Sequence, residues 1–254
     1  MKVVRKGDGE PEFTVMGSVH GDEPAGKEAI ERFLSEEREF HKPVQFVIGN
    51  EKALLEGQRF LESDLNRSFP GDPESERYEE RLASKIIDTV EGTKLLDIHT
   101  THSYPLPFAT CSTLNDKTRD MLASTGVKNA AHFPGEEGKL HEHVEGVVVE
   151  AGFQGTDQAV ENALGVIKNF LVLQNVIDGK ARKSDPQLFE VTDRVEGDWS
   201  FEAENFKKVE EGEVYATRGD DILRAEKPFY PVLMSTNGYS GTLGYRARRK
   251  KLNS

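Results

Sequence analysis

With a single cysteine, Cys111, this 254-residue chain cannot form an internal disulfide, which removes the small disulfide-stapled secreted folds and suits a reducing compartment. No apolar run approaches the roughly 18 residues that a membrane span needs. The opening Met1-Lys2-Val3-Val4-Arg5-Lys6-Gly7-Asp8 lacks the apolar segment of a secretory signal. No serine sits in a Gly-x-Ser-x-Gly elbow, so the serine-hydrolase signature is missing as well. Acidic residues outnumber basic ones, 45 to 33. The net charge is −12, and because Arg246 to Lys251 carries five positive charges, the rest of the chain stands at −17, a body that repels nucleic acid. Glu36-Glu37, Glu79-Glu80 and Glu210-Glu211 read as solvated faces, which would also suit a salt-rich cytoplasm. The basic segment reads as a frayed, solubilising terminus. These absences set the expectation of a cytoplasmic globular protein with neither a membrane nor a nucleic-acid partner.

What is present is 36% hydrophobic residues, enough for a packed core, arranged in an α/β pattern without internal repeats. Strand-like runs at Phe13 to Val19, Val44 to Ile48, Leu95 to His99, Phe108 to Cys111 and Gly146 to Ala151 alternate with helical periodicity over Pro24 to Glu37, Glu74 to Val90, Asp116 to Ser124 and Asp157 to Ile177. After Asp178-Gly179-Lys180 the character changes to short alternating runs, Leu188 to Val191, Glu213 to Thr217 and Asp221 to Ala225, separated by Gly-Asp and Glu-Gly turns. The expected organisation is a mixed twisted sheet flanked by helices over residues 1–180 and a small β-rich C-terminal domain over 181–254 that ends in the basic tail.

Three strand ends carry chemistry. Gly17-Ser18-Val19-His20-Gly21-Asp22-Glu23 places a histidine and a carboxylate three residues apart where a strand gives way to a helix. Lys94-Leu95-Leu96-Asp97-Ile98-His99-Thr100-Thr101 delivers a second histidine at a strand end in the same way. A catalytic zinc takes three imidazole or carboxylate ligands and leaves a fourth position open, and His20, Glu23 and His99 meet that count. Val147-Val148-Val149-Glu150-Ala151-Gly152 ends a β-branched run on a carboxylate, which makes Glu150 a candidate general base. Each of these side chains taken singly is equally at home as a satisfied or solvated polar group; their combination is what points to a metal. Asp97 either orients a histidine ligand from behind or faces away from it. His141 and His143 would share one side if extended, but between Gly138 and Gly146 they read as a loop near a pocket mouth, where His102 and Ser103 could also stand.

With these motifs in hand, the chain resembles the succinylglutamate desuccinylase and aspartoacylase family of zinc amidohydrolases, related in fold to the zinc carboxypeptidases. The resemblance rests on Gly17 to Glu23, on Arg59 with Asp64-Leu65-Asn66-Arg67, on Asp97-Ile98-His99-Thr100-Thr101 and on Glu150-Ala151-Gly152, in order along about residues 13 to 160. It implies one zinc per chain on His20, Glu23 and His99, Glu150 as proton shuttle, Arg59 facing the scissile carbonyl, and Asn66 and Arg67 holding a substrate carboxylate. Tyr239, following Tyr230-Pro231-Val232-Leu233, matches a pocket tyrosine in spacing, although Met234-Ser235-Thr236-Asn237 lacks the acidic residue of aspartoacylases. Arginine suits the carboxylate role on its own chemistry, being a permanently charged planar fork, although Arg67 could instead form a salt bridge to Asp64 or Glu62. The expected activity is zinc-dependent hydrolysis of the amide in a small N-acylated amino acid or similar carboxylate-bearing amide. A carboxypeptidase acting on peptides is the alternative, and a noncatalytic binding protein with a residual zinc site is the reading from another class.

Overall fold

The computed structural model describes residues 1–135, 138–238 and 240–250. Its elements run β1 (Lys2–Lys6), β2 (Phe13–Gly17), α1 (Ala25–Ser35), β3 (Val44–Ile48), α2 (Glu51–Glu56), α3 (Tyr78–Val90), β4 (Lys94–Thr101), β5 (Phe108–Cys111), α4 (Asp116–Thr125), β6 (Asn129–His132), β7 (Gly146–Phe153) and α5 (Asp157–Leu173). There follow β8 (Gln187–Glu196), β9 (Ser200–Phe201), β10 (Val214–Arg218), β11 (Asp221–Arg224), β12 (Tyr230–Val232) and β13 (Thr242–Lys250). Ten strands form one mixed sheet in the order β1-β3-β2-β4-β7-β5-β6-β8-β13-β12, and β11-β10-β9 form a second, three-stranded one. At the centre β3, β2, β4 and β7 run parallel, which requires helical crossovers and burial of both faces. Among the described residues no helix is long and apolar enough to cross a membrane.

Alternation along the central strands divides the core into two layers. On one face Phe13, Val15, Leu96, Ile98, Val147 and Val149 pack with Ala29, Ile30 and Phe33 of α1, Leu122 of α4 and Phe170 of α5. On the other, Met16 and Leu95 pack under Leu82, Ala83, Ile86 and Val90 of α3. Burial of each large apolar side chain is worth about 1.5–3 kcal/mol, so these layers fix the strand register. Because period 2 places Asp97 and His99 on the face of Leu95, and Glu150 opposite the face of Val147 and Val149, the polar strand ends all emerge on the α3 side. Beyond β7 that side is filled by Phe108, Phe133, Phe189 and Phe206.

The basic C-terminal segment is not frayed. Arg246 to Lys250 belong to β13, which pairs antiparallel with both β8 and β12. Alternation explains this: Leu243 and Ala247 are buried, while Arg248 and Lys250 reach Glu190 on the neighbouring strand. Residues 251–254 lie outside the described part. β8 lies parallel to β6, so residues on both sides of position 181 share the large sheet. Asn205, buried in the C-terminal part, donates to the carbonyls of Ser103 and Met234 at 2.9 and 2.8 Å, tying that part to the loop after β4.

Candidate active site

Buried strand β2 ends in a turn that has little room. A side-chain carbon on Gly21 would lie 2.2 Å from the backbone of Ala53, so only glycine lets the turn pass α2. Ser18 adopts a positive φ of 57°, and its hydroxyl donates to the Glu23 carbonyl at 3.2 Å. This turn and the end of β4 bring three buried side chains together. His20 Nδ1 lies 2.8 Å from Glu23 Oε1, and His99 Nδ1 lies 3.2 Å from Glu23 Oε2. One ligand atom from each of the three residues falls within 4.8 Å of the others. In a tetrahedral zinc site with bonds of about 2.0–2.1 Å, ligand atoms stand about 3.3 Å apart, and the two imidazoles already stand at about that distance from the Glu23 carboxylate.

The other ring nitrogens are also committed. His20 Nε2 is 3.2 Å from Asp64 Oδ1, and His99 Nε2 is 3.0 Å from Asp97 Oδ2. Each ε nitrogen therefore faces a carboxylate while Nδ1 is turned toward Glu23, the arrangement in which a metal-binding histidine is oriented from behind. Glu23 further accepts the Thr100 backbone N–H at 2.9 Å and Arg59 Nη1 at 3.4 Å. Burial disfavours charge on Glu23, yet the two imidazoles outweigh it and hold its carboxyl well below the usual range. For His99, burial is likewise overcome, by Asp97 and Glu23, and its pKa stands well above the ordinary value. Asp64 resists burial through His20 and Arg59 and is held low. With two imidazoles, one carboxylate and a carboxylate behind each ring, the donor set fits a divalent metal.

Glu150 pairs in register with His99 across β4 and β7 and projects on the same face. Its residue is only half-buried, but Oε2 is enclosed and without a hydrogen-bond partner. Burial, with the nearby charges of Glu23 and Asp97, pushes its carboxyl up to about 8 against the pull of His99 and Arg59. A carboxyl with that value can both accept and return a proton near neutrality.

The remaining expected site residues fall on the loop over the cluster. Arg59 donates through Nε and Nη2 to Asp64 Oδ2, both at 3.2 Å, so Asp64 is paired by Arg59 and not by Arg67. Asn66 and Arg67 lie in a 3-10 turn, Leu65–Arg67, capped by the Asp64 side chain. Arg67 is exposed and donates from Nη1 to the Asn66 carbonyl at 2.7 Å. Tyr239 lies outside the described residues. His141 and His143 do not share a side: the segment forms a 3-10 turn that buries His141 and exposes His143. Desolvation lowers the His141 pKa to about 3, leaving a neutral ring near His99 and Arg67. Asp97, left open by the sequence, faces His99, and the signal that finds it is the i, i+2 relation along a strand. Asp64 was visible only as part of a motif, because its partner His20 is 44 residues away.

A parallel-centred α/β sheet with a two-histidine, one-glutamate cluster at its strand ends and a raised carboxyl alongside brings together the donor set and the proton-transfer group that metal-assisted hydrolysis uses. The Succinylglutamate desuccinylase/Aspartoacylase catalytic domain matches residues 10–156, and the chain belongs to that family. It is 29% identical over 223 residues to an N-alpha-acetyl-L-2,4-diaminobutyric acid deacetylase of Halomonas elongata, covering 74% of this chain and 61% of that one. A succinylglutamate desuccinylase of Pseudomonas fluorescens is 27% identical over 53% of this chain and 38% of its own length. The chain thus spans between about two-fifths and three-fifths of the length of these relatives. In fold it is similar to the product-bound ectoine utilization protein EutE (DoeB) of Ruegeria pomeroyi, with a TM-score of 0.79 at 18% identity, covering 98% of this chain and 88% of that one. A succinylglutamate desuccinylase/aspartoacylase structure from Rhodobacter sphaeroides gives a TM-score of 0.79 at 20% identity, covering 98% and 89%.

Proposed function

We propose that the protein is a zinc-dependent deacylase that hydrolyses the amide of a small N-acylated amino acid or a similar carboxylate-bearing amide. The observation that carries this reading is the convergence of His20, Glu23 and His99 with Glu150 in register beside His99. His20 and His99 through Nδ1, and Glu23 through its carboxylate, are the residues that would hold the ion. Bound zinc supplies Lewis acidity, polarising an amide carbonyl and making water a nucleophile near neutral pH. Glu150, whose Oε2 is enclosed and without a hydrogen-bond partner, takes the proton from the attacking water and passes it to the leaving amine. Arg59, fixed by Asp64 and Glu23, puts positive charge at the edge of the cluster, where negative charge develops on the carbonyl oxygen. Asn66 and Arg67 hold the substrate carboxylate. In support, Arg67 pairs with no carboxylate among the described residues and lines a cleft of about 370 Å³ with Ser63, Asp64 and Ser68, and Asp64 in turn touches His20.

The amidohydrolase names of the relatives point the same way. The test is a panel of N-acetyl and N-succinyl amino acids alongside carboxypeptidase peptides, assayed with the protein carrying one equivalent of zinc. Turnover of the N-acyl amino acids above the peptides is expected; the reverse preference would establish the peptidase reading.

A further inference from the structure

Glu79 is fully buried at the start of α3, yet no part of the proposed chemistry uses it. Its carboxylate accepts hydrogen bonds from the backbone N–H groups of three consecutive residues, Leu61 at 2.8 Å, Glu62 at 3.0 Å and Ser63 at 3.1 Å, and from Asn50 Nδ2 at 3.2 Å. Those three residues lie between Arg59 and Asp64. Asn50 in turn donates its backbone N–H to the Ser18 carbonyl at 2.8 Å, two residues before His20. The loop has further ties: Gly21 N–H donates to the Arg59 carbonyl at 3.0 Å, the Tyr78 N–H donates to the Glu62 carboxylate, and the Ser63 hydroxyl lies 3.4 Å from that of Ser68. Along its length Gln58, Phe60 and Glu62 are exposed and give it little apolar anchoring. Its backbone therefore takes its shape from a buried anion that four donors surround, the inverse of an anion site built from N–H groups.

Building on the zinc reading above, we propose that Glu79 is a positioning residue for the metal site, acting through the 61–63 backbone to set Asp64 behind His20 and Arg59 beside Glu23. The three N–H groups directly precede Asp64, whose Oδ1 faces His20 Nε2, so the anchor fixes the backbone from which that carboxylate projects. Loss of the acceptor frees those N–H groups, lets Asp64 drift from His20 Nε2, and loosens the ring that presents Nδ1.

The test compares Glu79→Gln with the wild type. Glutamine keeps the shape but turns one acceptor oxygen into an N–H₂ that meets N–H donors. Zinc affinity of the folded protein, measured by chelator competition, should weaken by about 10–100-fold, as for loss of a group supporting a ligand. In an Asp64→Asn background the same change should add less than about threefold, because both act on one ring. Zinc affinity unchanged by Glu79→Gln, with only the melting temperature lowered, overturns the proposal, as does full additivity with Asp64→Asn. A second readout needs no variant. Coupling is reciprocal, so zinc should slow amide hydrogen exchange at Leu61, Glu62 and Ser63 in the wild type by at least about tenfold. No zinc-dependent change at these amides also overturns it. A wild type that binds no zinc defeats the reading of the site and this inference together, whereas zinc-binding wild type with an indifferent Glu79→Gln defeats the inference alone.

Discussion

Replacing Asp97 with asparagine probes the site where the sequence left two readings open. Asp97 is 2% exposed; its Oδ2 stands 3.0 Å from His99 Nε2, and its Oδ1 has no partner. The amide oxygen of asparagine can still accept the Nε2–H bond, so geometry survives and only the charge is removed. Removing such a carboxylate typically weakens metal binding 10–100-fold, or about 1.4–2.7 kcal/mol. The pH dependence follows from the elevated pKa of His99, which burial opposes and Asp97 and Glu23 produce. A protonated ring cannot bind metal, so acid competes harder with zinc in the wild type than in Asp97→Asn, whose His99 loses its proton at lower pH. The affinity gap should be full at alkaline pH and narrow as pH falls. Chelator competition at a series of pH values measures it. Equal zinc affinity for wild type and Asp97→Asn at alkaline pH would refute the claim that Asp97 orients and enriches His99.

Arg67→Ala should raise KM for substrates carrying a carboxylate by tenfold or more, with little change for neutral amides; equal losses for both would make Arg67 structural. For metal-free protein, Glu150→Gln should gain stability relative to wild type as pH rises from about 4.5 to about 8. Over that span the folded wild type keeps a proton that its unfolded chain has released, so the stability this carboxyl contributes is full below the lower value and lost through the upper. The limiting slope is about 1.4 kcal/mol per pH unit, read from chemical denaturation of both proteins. Gly21→Ala should cost at least about 1–3 kcal/mol, since the added carbon meets the Ala53 backbone, and should also release metal by displacing His20.

Much of the main sheet could be read from the chain because β2, β3, β4 and β7 are continuous apolar runs, and α1, α3, α4 and α5 carry the periodicity of one buried face. β6 escaped because Asn129-Ala130-Ala131-His132 has no β-branched or aromatic residue, and it owes its place to β5 and β8 on either side. β13 escaped because charge dominates its sequence, while its buried apolar side chains are Leu243 and Ala247. Of the candidate site, His20, Glu23, His99 and Glu150 were legible as polar residues closing apolar runs. Asp64 and Glu79 were not, because their partners lie on other segments: Asp64 meets His20 across 44 residues, and Glu79 meets Leu61, Glu62 and Ser63 across 16 to 18.

The most direct test of the account is a zinc titration of metal-free protein, following turnover of an N-acetyl amino acid in parallel for wild type and Glu150→Gln. Wild-type activity should rise linearly and saturate at one zinc per chain, while Glu150→Gln binds the same equivalent and turns over at least about a hundredfold more slowly. Turnover without metal, saturation at another stoichiometry, or a fully active Glu150→Gln would contradict it.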